Sequence, residues 1–193
     1  KGIQQAKSAG EKINAAGLLI DLAFESKLKR SIKTAQLILQ ENQSSFVPEY
    51  KTWRLNERHY GALVGKNKDK MIEDFGADQV KKWRRDFEEV PPLTKDNHFD
   101  RRYNGLDPRL IPKGESLQMT SKRVIPLWQD QIAPNLLAGK TVLVCGHGNS
   151  LRALVQFLEN IPTDQVDQID IPNATPVIYS FDQQLTIEEK VVL

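Results

Sequence analysis

Apolar residues at helical spacing alternate with short apolar runs through the first third of the chain. The period predicts a first helix that ends near Gly17 and a second helix over residues 26–40. The runs within 18–25 and 46–50 each predict a short strand. Residues 52–65 mix charge, aromatic rings and glycine without a clean period, which is typical of a loop built for contact.

The middle of the chain is predicted to be helical around one long irregular segment. Helical patterns cover residues 68–75 and 78–87, and residues 90–114 are rich in proline and show no period. A long helix is predicted over residues 116–137, and Pro126 should kink or divide it.

The last third begins with the apolar run 142–145, which has no alternation and predicts a strand buried on both faces. A short helix is expected over 163–168. Two final strands are expected at 177–181 and 185–193. Because strands alternate with helices, the predicted class is α/β with a mainly parallel sheet.

Composition narrows the function classes. A chain of 193 residues fits one domain, and 39% apolar residues can fill its core. The net charge of +2 argues against a protein that binds nucleic acid through phosphate contacts. No apolar run is long enough to span a membrane. The single cysteine, Cys145, excludes an intrachain disulfide and fits the cytoplasm, and its apolar surroundings predict a packed core residue rather than a nucleophile.

A glycine-rich turn follows the predicted strand 142–145. It contains His147, Gly148 and Asn149, and a helix then begins that Asn149 or Ser150 is placed to cap. Ligands bind at the carboxyl ends of strands in α/β proteins, and a helix N-terminus there attracts an anion. The turn therefore indicates an anion site with His147 in it. The alternative is a plain turn that carries a hydrogen-bonded surface histidine.

Basic residues cluster at helix termini and in loops. Those at the start of the second helix oppose its dipole, which a bound anion would explain, although a solvated helix face is the simpler alternative. The cluster around Trp83 fits a solvated face, a polyanion patch or a phosphate clamp, and its shortness favours a small anion. The candidates are Arg30, Glu57, Arg58, Lys68, Arg84, Arg85 and His147.

These residue types suit phosphoryl chemistry. Guanidinium groups match phosphate oxygens, a histidine can donate, accept or stabilise a phosphoryl group, and one carboxylate among cations can act as general acid/base. No His, Cys or carboxylate cluster has metal-ligand spacing, and no P-loop motif occurs. The residues alone predict an α/β enzyme that handles phosphate without a metal.

Four motifs resemble those of one enzyme family. They are Ser26-Lys-Leu-Lys-Arg30, Leu55-Asn-Glu-Arg-His-Tyr-Gly61, Trp83-Arg-Arg85 and Gly146-His-Gly-Asn-Ser-Leu-Arg-Ala-Leu154. Together they resemble the cofactor-dependent phosphoglycerate mutases of the histidine phosphatase superfamily, from Lys1 to about Phe181. The second motif is highly specific to this group, whereas Gly-His-Gly-Asn-Ser alone indicates only the superfamily.

The resemblance implies a cytoplasmic glycolytic enzyme that interconverts 3-phosphoglycerate and 2-phosphoglycerate. It would be primed by 2,3-bisphosphoglycerate through a phosphohistidine and would need no metal. The implied fold is one three-layer α/β/α domain over residues 1–193, with a helical and loop lid at about 66–115. Its partner would be a small phosphorylated substrate, with no nucleic acid and no membrane, and members of the family are often dimers or tetramers.

The resemblance also assigns roles to individual residues. Glu57 would be the general acid/base, and Arg30 and His147 would stabilise the transferring phosphoryl group, with contacts from Gly148 and Asn149. The residues expected to bind the substrate's carboxylate and its other phosphate, or to stand beside that site, are Arg58, His59, Tyr60, Lys68, Arg84 and Arg85. For His59 the alternative is a histidine that only supports the loop.

The family pattern includes a nucleophilic histidine that this sequence lacks. It belongs to an Arg-His-Gly-Glu motif after a first strand, and both would precede Lys1, so the domain is expected to be N-terminally incomplete. The sequence could be part of a longer protein, a genuine truncation that is inactive and poorly stable, or a rearranged or oligomeric form that repairs the sheet. Two other functions stay open: a histidine phosphatase with another phosphorylated substrate, and a catalytically inactive module that binds phosphoesters.

Overall fold

The computed structural model describes residues 1–95 and 100–193, apart from the side chain of Lys68. The helices are α1 (Gly2–Ala15), α2 (Lys29–Glu41), α3 (Lys68–Phe75), α4 (Ala77–Arg85), α5 (Leu117–Leu127), α6 (Ala133–Leu137) and α7 (Gly148–Leu158). The strands are β1 (Leu22–Ser26), β2 (Glu49–Thr52), β3 (Val142–Cys145), β4 (Val177–Phe181) and β5 (Ile187–Val192). Short 3₁₀ turns lie between them, and Thr163–Gln168 is one of these rather than an α-helix.

The central sheet is parallel, as the alternation of strands and helices predicts. Its strand order is β2-β1-β3, and β1 pairs with both neighbours in parallel register. Strands β4 and β5 form a separate antiparallel pair. Helices cover both faces of the parallel sheet, which confirms the predicted α/β/α arrangement.

The two faces of β1 bury different cores because successive strand side chains point in opposite directions. Ala23 packs in one core with Ile13 of α1 and Ile38 of α2. On the other face Phe24 packs with Leu127 of α5, in the core that also holds Leu22, Val124 and Leu154. β1 is therefore the buried centre of the three-stranded sheet.

Helices α1 and α2 approach closely at Gly10. A Cβ atom at this position would lie 2.7 Å from the carbonyl oxygen of Ile38. A side chain there would push the two helices apart, so the missing Cβ is what permits this packing.

Strand β3 differs from its prediction. Val142, Leu143 and Val144 are only half-buried, although their unbroken apolar run predicts burial on both faces. Among the residues that the structure describes, β3 pairs with β1 alone, so its other edge has no strand partner. A cavity of about 510 Å³ runs between β3 and β4, and we call it the β3–β4 groove. Its apolar lining includes Trp128, Val142, Leu154, Tyr179 and Phe181.

The helix predicted over residues 116–137 is divided as expected, but the division lies after Pro126 and not at it. Helix α5 contains Pro126 and ends at Leu127, a π-helical turn spans Trp128–Ile132, and α6 follows. Proline lacks an N–H and its ring meets the carbonyl four residues earlier, so Pro134 explains the widened turn, which contains Asp130.

Strand β2 begins at Glu49, later than predicted. The carbonyl of Pro48 accepts the Ala23 N–H, and Phe46 is 87% exposed, so residues 46–48 lead into the strand. In the predicted lid over 66–115 the structure has α3, α4 and two 3₁₀ turns, and residues 96–99 lie outside the described part. No helix within the described ranges is long and apolar enough to cross a membrane.

Candidate active site

The site lies where the carboxyl ends of β1 and β3 meet the start of α7. Ser26 is the last residue of β1, and Cys145 is the last residue of β3. Since the strands are parallel, both ends reach the same edge of the sheet, where α/β proteins bind ligands. His147 follows β3 and is buried, and its Nε2 lies 2.8 Å from the Ser26 hydroxyl.

Ser26 is held in place by the neighbouring turn. Its N–H donates to the Ser31 hydroxyl at 3.1 Å, and the Ser31 hydroxyl donates to the Cys145 carbonyl at 2.8 Å. The Leu28 N–H donates to the Ser26 hydroxyl at 3.1 Å. The contact between Ser26 and His147 therefore belongs to a network that ties the two strand ends together.

Burial lowers the pKa of His147 below its ordinary value of 6.5. The negative charge of Glu57 opposes that shift, and the positive charges of Arg30 and Arg123 add to it. Arg30 itself is exposed in the first turn of α2. The imidazole is thus neutral near pH 7 and keeps both a donor and an acceptor nitrogen.

The cap of α7 corrects a sequence prediction. The helix begins at Gly148 with His147 in the capping position, whereas the sequence favours Asn149 or Ser150 there. The Ser150 hydroxyl instead reaches back from the first turn and accepts the His147 N–H at 2.9 Å. Because Ser150 closes the turn from inside the helix, the Asn149 N–H is left for a partner outside the helix, the Glu57 carboxylate.

The carboxylate of Glu57 lies at this N-terminus. Its Oε1 accepts the Arg58 N–H at 2.8 Å and the Asn149 N–H at 3.2 Å. A Cβ atom on Gly148 would stand 3.9 Å from Oε2 of Glu57. Two N–H donors and the positive end of the helix dipole favour a negative charge at this point.

Asn149 connects the helix to the loop that carries Glu57. Its side-chain Nδ2 donates to the Tyr60 hydroxyl at 2.9 Å. Its Oδ1 accepts from Nη1 of Arg152 at 2.8 Å, and Nε of Arg152 donates to the Ile169 carbonyl at 3.1 Å. The nitrogen and the oxygen of the Asn149 side chain are therefore each held by a hydrogen bond, one to Tyr60 and one from Arg152.

Several arginines surround Tyr60. The guanidinium of Arg58 lies 4.7 Å from the centre of the ring, and that of Arg84 lies 5.8 Å from it. Arg58 is 2% exposed and donates to the Trp83 carbonyl at 2.6 Å, while its Nε has no partner within the described residues. Burial lowers the pKa of Arg152, and the charge of Arg85 adds to this. Such a concentration of cations favours an anionic ligand.

His59 serves the loop in this structure. Its ring Nδ1 accepts the Gly61 N–H at 3.0 Å, and its backbone N–H donates to Glu115 Oε2 at 2.9 Å. Burial lowers the pKa of its imidazole. Gly61 has a φ of +58°, and a Cβ there would lie 2.1 Å from the Pro92 carbonyl oxygen, so only glycine fits.

The structure brings most of the candidate residues together. Glu57, Arg58, Tyr60, His147 and Asn149 share one edge of the sheet through the contacts above. Arg30, Arg84 and Arg85 are exposed around it. Lys68 is the first residue of α3, and its side chain lies outside the described residues.

Two negative findings bear on the chemistry. Cys145 is buried, and burial raises its pKa to about 12, which confirms a packed thiol rather than a nucleophile. In the part of the chain that the structure describes, no group of three His, Cys, Asp or Glu side chains is placed to hold a metal ion.

Sequence reasoning missed four residues that hold the site: Ser26, Glu115, Arg123 and Arg152. Ser26 had a usable signal, since it opens the first of the four motifs and directly follows the predicted strand run within 18–25. The other three lie on helices or at a helix start, where their polar groups look like ordinary surface positions.

Comparison with known proteins agrees with the geometry. A family model described as "Histidine phosphatase superfamily (branch 1)" matches residues 1–191. The chain is 48% identical over 192 residues to the 2,3-bisphosphoglycerate-dependent phosphoglycerate mutase 2 of Lactiplantibacillus plantarum, covering 97% of this chain and 84% of that protein. It is 47% identical over 198 residues to the corresponding mutase of Neisseria meningitidis, covering 100% and 87%.

Solved structures support the fold. A mycobacterial glucosyl-3-phosphoglycerate phosphatase in complex with inorganic phosphate has a TM-score of 0.71 and 21% identity, covering 98% of this chain and 82% of that one. A phosphoglycerate mutase from Bacillus anthracis has a TM-score of 0.62 and 21% identity, covering 90% and 72%. At this identity the likeness concerns the fold alone.

Proposed function

Because the chain belongs to the histidine phosphatase superfamily, we propose that its site is that of a 2,3-bisphosphoglycerate-dependent phosphoglycerate mutase. The reaction would interconvert 3-phosphoglycerate and 2-phosphoglycerate. One observation carries the proposal: the Glu57 carboxylate is fixed at the N-terminus of α7 by two backbone donors, inside a cluster of arginines and next to a buried histidine. The identity to named mutases selects this reaction among those of the superfamily.

Each group would have a separate task. Glu57 would take the proton from the substrate hydroxyl that receives the phosphoryl group and return it in the reverse direction. Neutral His147 and the guanidinium of Arg30 would stabilise charge on the transferring group. Arg58, Tyr60 and Asn149 would hold the substrate's carboxylate or its other phosphate, with Arg84, Arg85 and Lys68 at the rim.

The same residues fit the bisphosphate primer. 2,3-Bisphosphoglycerate supplies the phosphoryl group that first loads a mutase of this type. The buried Nε of Arg58 has no partner among the described residues, and its guanidinium lies over the ring of Tyr60, whose hydroxyl accepts from Asn149. A buried donor without a partner is costly, and an anionic oxygen would satisfy it. Arg58 is thus suited to bind one anionic group of this primer.

We further propose that the phosphoryl-carrying histidine comes from a strand outside residues 1–193, which would occupy the β3–β4 groove. Three observations support this position for the strand. No described strand pairs with the second edge of β3, the side chains of Val142–Val144 are only half-buried, and the groove has a volume of about 510 Å³. A strand there would end near His147, because β3 leads to that residue. His147 would then assist the transfer and would not carry the phosphoryl group itself.

The experiment is a mutase assay on the intact protein with 3-phosphoglycerate and the bisphosphate primer. Glu57→Gln removes the acid/base group and should lower kcat by about 10²–10⁴-fold while KM changes little. Glu73→Gln is the matched control, since Glu73 is exposed on α3, and it should retain full activity. Full mutase activity in Glu57→Gln would rule out the acid/base role.

The phosphatase alternative is tested in the same samples by measuring inorganic phosphate. Release of phosphate from phosphoglycerate without any interconversion would favour a phosphatase. Binding of phosphoglycerate without turnover by the intact protein would favour a non-catalytic module.

A further inference from the structure

Glu115 and Arg123 form a buried ion pair beneath the loop that carries Glu57. Glu115 is 3% exposed and Arg123 is 7% exposed. The guanidinium binds the carboxylate through two bonds, Nε to Oε1 at 2.7 Å and Nη2 to Oε2 at 2.9 Å. Neither residue belongs to the four family motifs or to the cation cluster around Tyr60.

The pair holds the loop backbone on both sides of Glu57. Nη1 of Arg123 donates to the Arg54 carbonyl at 2.6 Å, and Nη2 contacts the Glu57 carbonyl at 3.4 Å. Glu115 Oε2 accepts the His59 N–H at 2.9 Å, and the Glu115 N–H donates to the His59 carbonyl at 2.8 Å. Residues 54, 57 and 59 are therefore held by two side chains that touch each other.

The loop needs these partners because it has little regular structure. Trp53–Leu55 and Gly61–Leu63 form 3₁₀ turns, and the backbone of residues 56–60 between them has no helix or strand ladder. Buried backbone groups without partners are costly. A buried ion pair is a poor source of stability by itself, because apolar side chains of similar volume are often equally stable. The role of the Glu115–Arg123 pair here is to fix the position of the loop backbone.

We propose that Glu115 and Arg123 are positioning residues for Glu57, fixing its backbone so that its carboxylate meets the Asn149 N–H. This inference rests on the proposed function, because it assigns the pair to the acid/base step. It predicts that kcat depends on how the Glu115–Arg123 pair contacts the loop backbone, and not only on the presence of two opposite charges.

The test uses three variants at these two positions. Arg123→Lys keeps the charge but loses the fork that reaches the carboxylate and the carbonyls at once. Glu115→Gln is the milder change, since it keeps an acceptor for His59. The exchange Glu115→Arg with Arg123→Glu keeps both charges but turns a carboxylate toward carbonyls. Arg109→Lys is the control, because its ion pair with Asp107 is exposed.

Two readouts separate positioning from general stability. In the intact protein, Arg123→Lys and the charge-swapped double variant should each lower kcat by about tenfold to a hundredfold, while KM stays within about threefold of the wild-type value. Both are measured at a temperature where thermal scans show them folded. By NMR, hydrogen exchange of the His59 amide should become at least about tenfold faster in both. Glu115→Gln should change both quantities in the same direction by less.

The outcomes are distinct. A wild-type kcat in folded Arg123→Lys, or in the charge-swapped double variant Glu115→Arg with Arg123→Glu, overturns the inference while the mutase function stands. An unchanged exchange rate at His59 in all three variants also overturns it. If Arg123→Lys does not fold, the same comparison is decided on Glu115→Gln. An intact wild-type protein without mutase activity overturns the proposed function, and the catalytic role of the clamp with it.

Discussion

The backbone N–H of Asn149 donates to the Glu57 carboxylate over 3.2 Å, although 92 positions separate the two residues. Asn149 is placed by α7, which starts shortly after β3. Glu57 is placed by a loop whose backbone is bound by Glu115 and Arg123. This hydrogen bond therefore forms only when α7, the loop that carries Glu57 and the Glu115–Arg123 ion pair all have their correct positions.

Ser26→Ala should affect both stability and catalysis. The substitution removes the hydroxyl 2.8 Å from His147 Nε2 and leaves a buried ring nitrogen without that partner. We expect a loss of about 1–3 kcal/mol in the free energy of unfolding, measured in urea. The kcat of the intact protein should fall because the imidazole loses its fixed orientation. Ser121→Ala is the control: its buried hydroxyl donates to the Leu117 carbonyl within α5, so it should change stability alone.

The imidazole of His147 should titrate below 6.5. Its folded-state pKa is lowered by burial, so the unfolded chain takes up this proton at a higher pH than the folded chain. The stability that His147 contributes is therefore complete above about pH 6.5 and is lost as the pH falls through the folded pKa. NMR of the ring protons gives the midpoint, and the His147 signal is the one that both His59→Asn and His98→Asn leave in place. A midpoint above 6.5 would contradict the prediction.

The thiol of Cys145 should resist alkylation in the folded protein. It is buried, and its pKa is raised to about 12, so almost no thiolate exists at pH 8. Iodoacetamide at pH 8 should leave the native mass unchanged and should add one adduct in urea. Rapid modification of the native protein would show that the strand end opens to solvent.

Lys51→Met should destabilise the protein in a pH-dependent way. Glu25 is fully buried at the end of β1, and its carboxylate lies 2.9 Å from the Lys51 ammonium. Removing the lysine leaves that charge without a partner and should cost about 2–3 kcal/mol at pH 8, less than the roughly 3–5 kcal/mol of a fully buried pair because Lys51 is itself 43% exposed.

The sign of the pH effect follows from Glu25. Burial raises its pKa above 4.5, so the unfolded chain loses this proton first and stability falls as the pH rises from about 4.5. The defect in Lys51→Met should therefore shrink in urea titrations near pH 5. Glu25→Gln with Lys51→Met should recover most of the loss at pH 8, and a defect of equal size at both pH values would refute the assignment.

The sequence predicts local structure well where one period dominates. The helices α1, α2 and α7 and the strands β1 and β3 follow from the spacing of apolar residues. The order of layers follows from their alternation. The half-burial of Val142–Val144 could not be predicted from the run itself, because it depends on which strands stand at the other edge of β3. The cap is His147, two or three residues before the predicted Asn149 or Ser150, because Ser150 acts from inside the helix.

The candidate site shows the same division. Glu57, Arg58 and His147 are identifiable because local motifs carry them. Glu115 and Arg123 are not, since each acts on backbone or side-chain groups that only the fold brings near, and Arg152 stands in the fourth motif without any local sign of its contacts to Asn149 and Ile169. A motif names the residues that would meet the substrate, whereas the residues that hold them are set by tertiary contacts.

The most direct measurement is ³¹P NMR of 3-phosphoglycerate incubated with the intact protein and a catalytic amount of 2,3-bisphosphoglycerate. Substrate, product and inorganic phosphate give separate signals in one spectrum. The proposed function predicts a 2-phosphoglycerate signal that grows to equilibrium, depends on the primer and is absent in Glu57→Gln. A growing signal of inorganic phosphate without 2-phosphoglycerate, or no change at all, would contradict it.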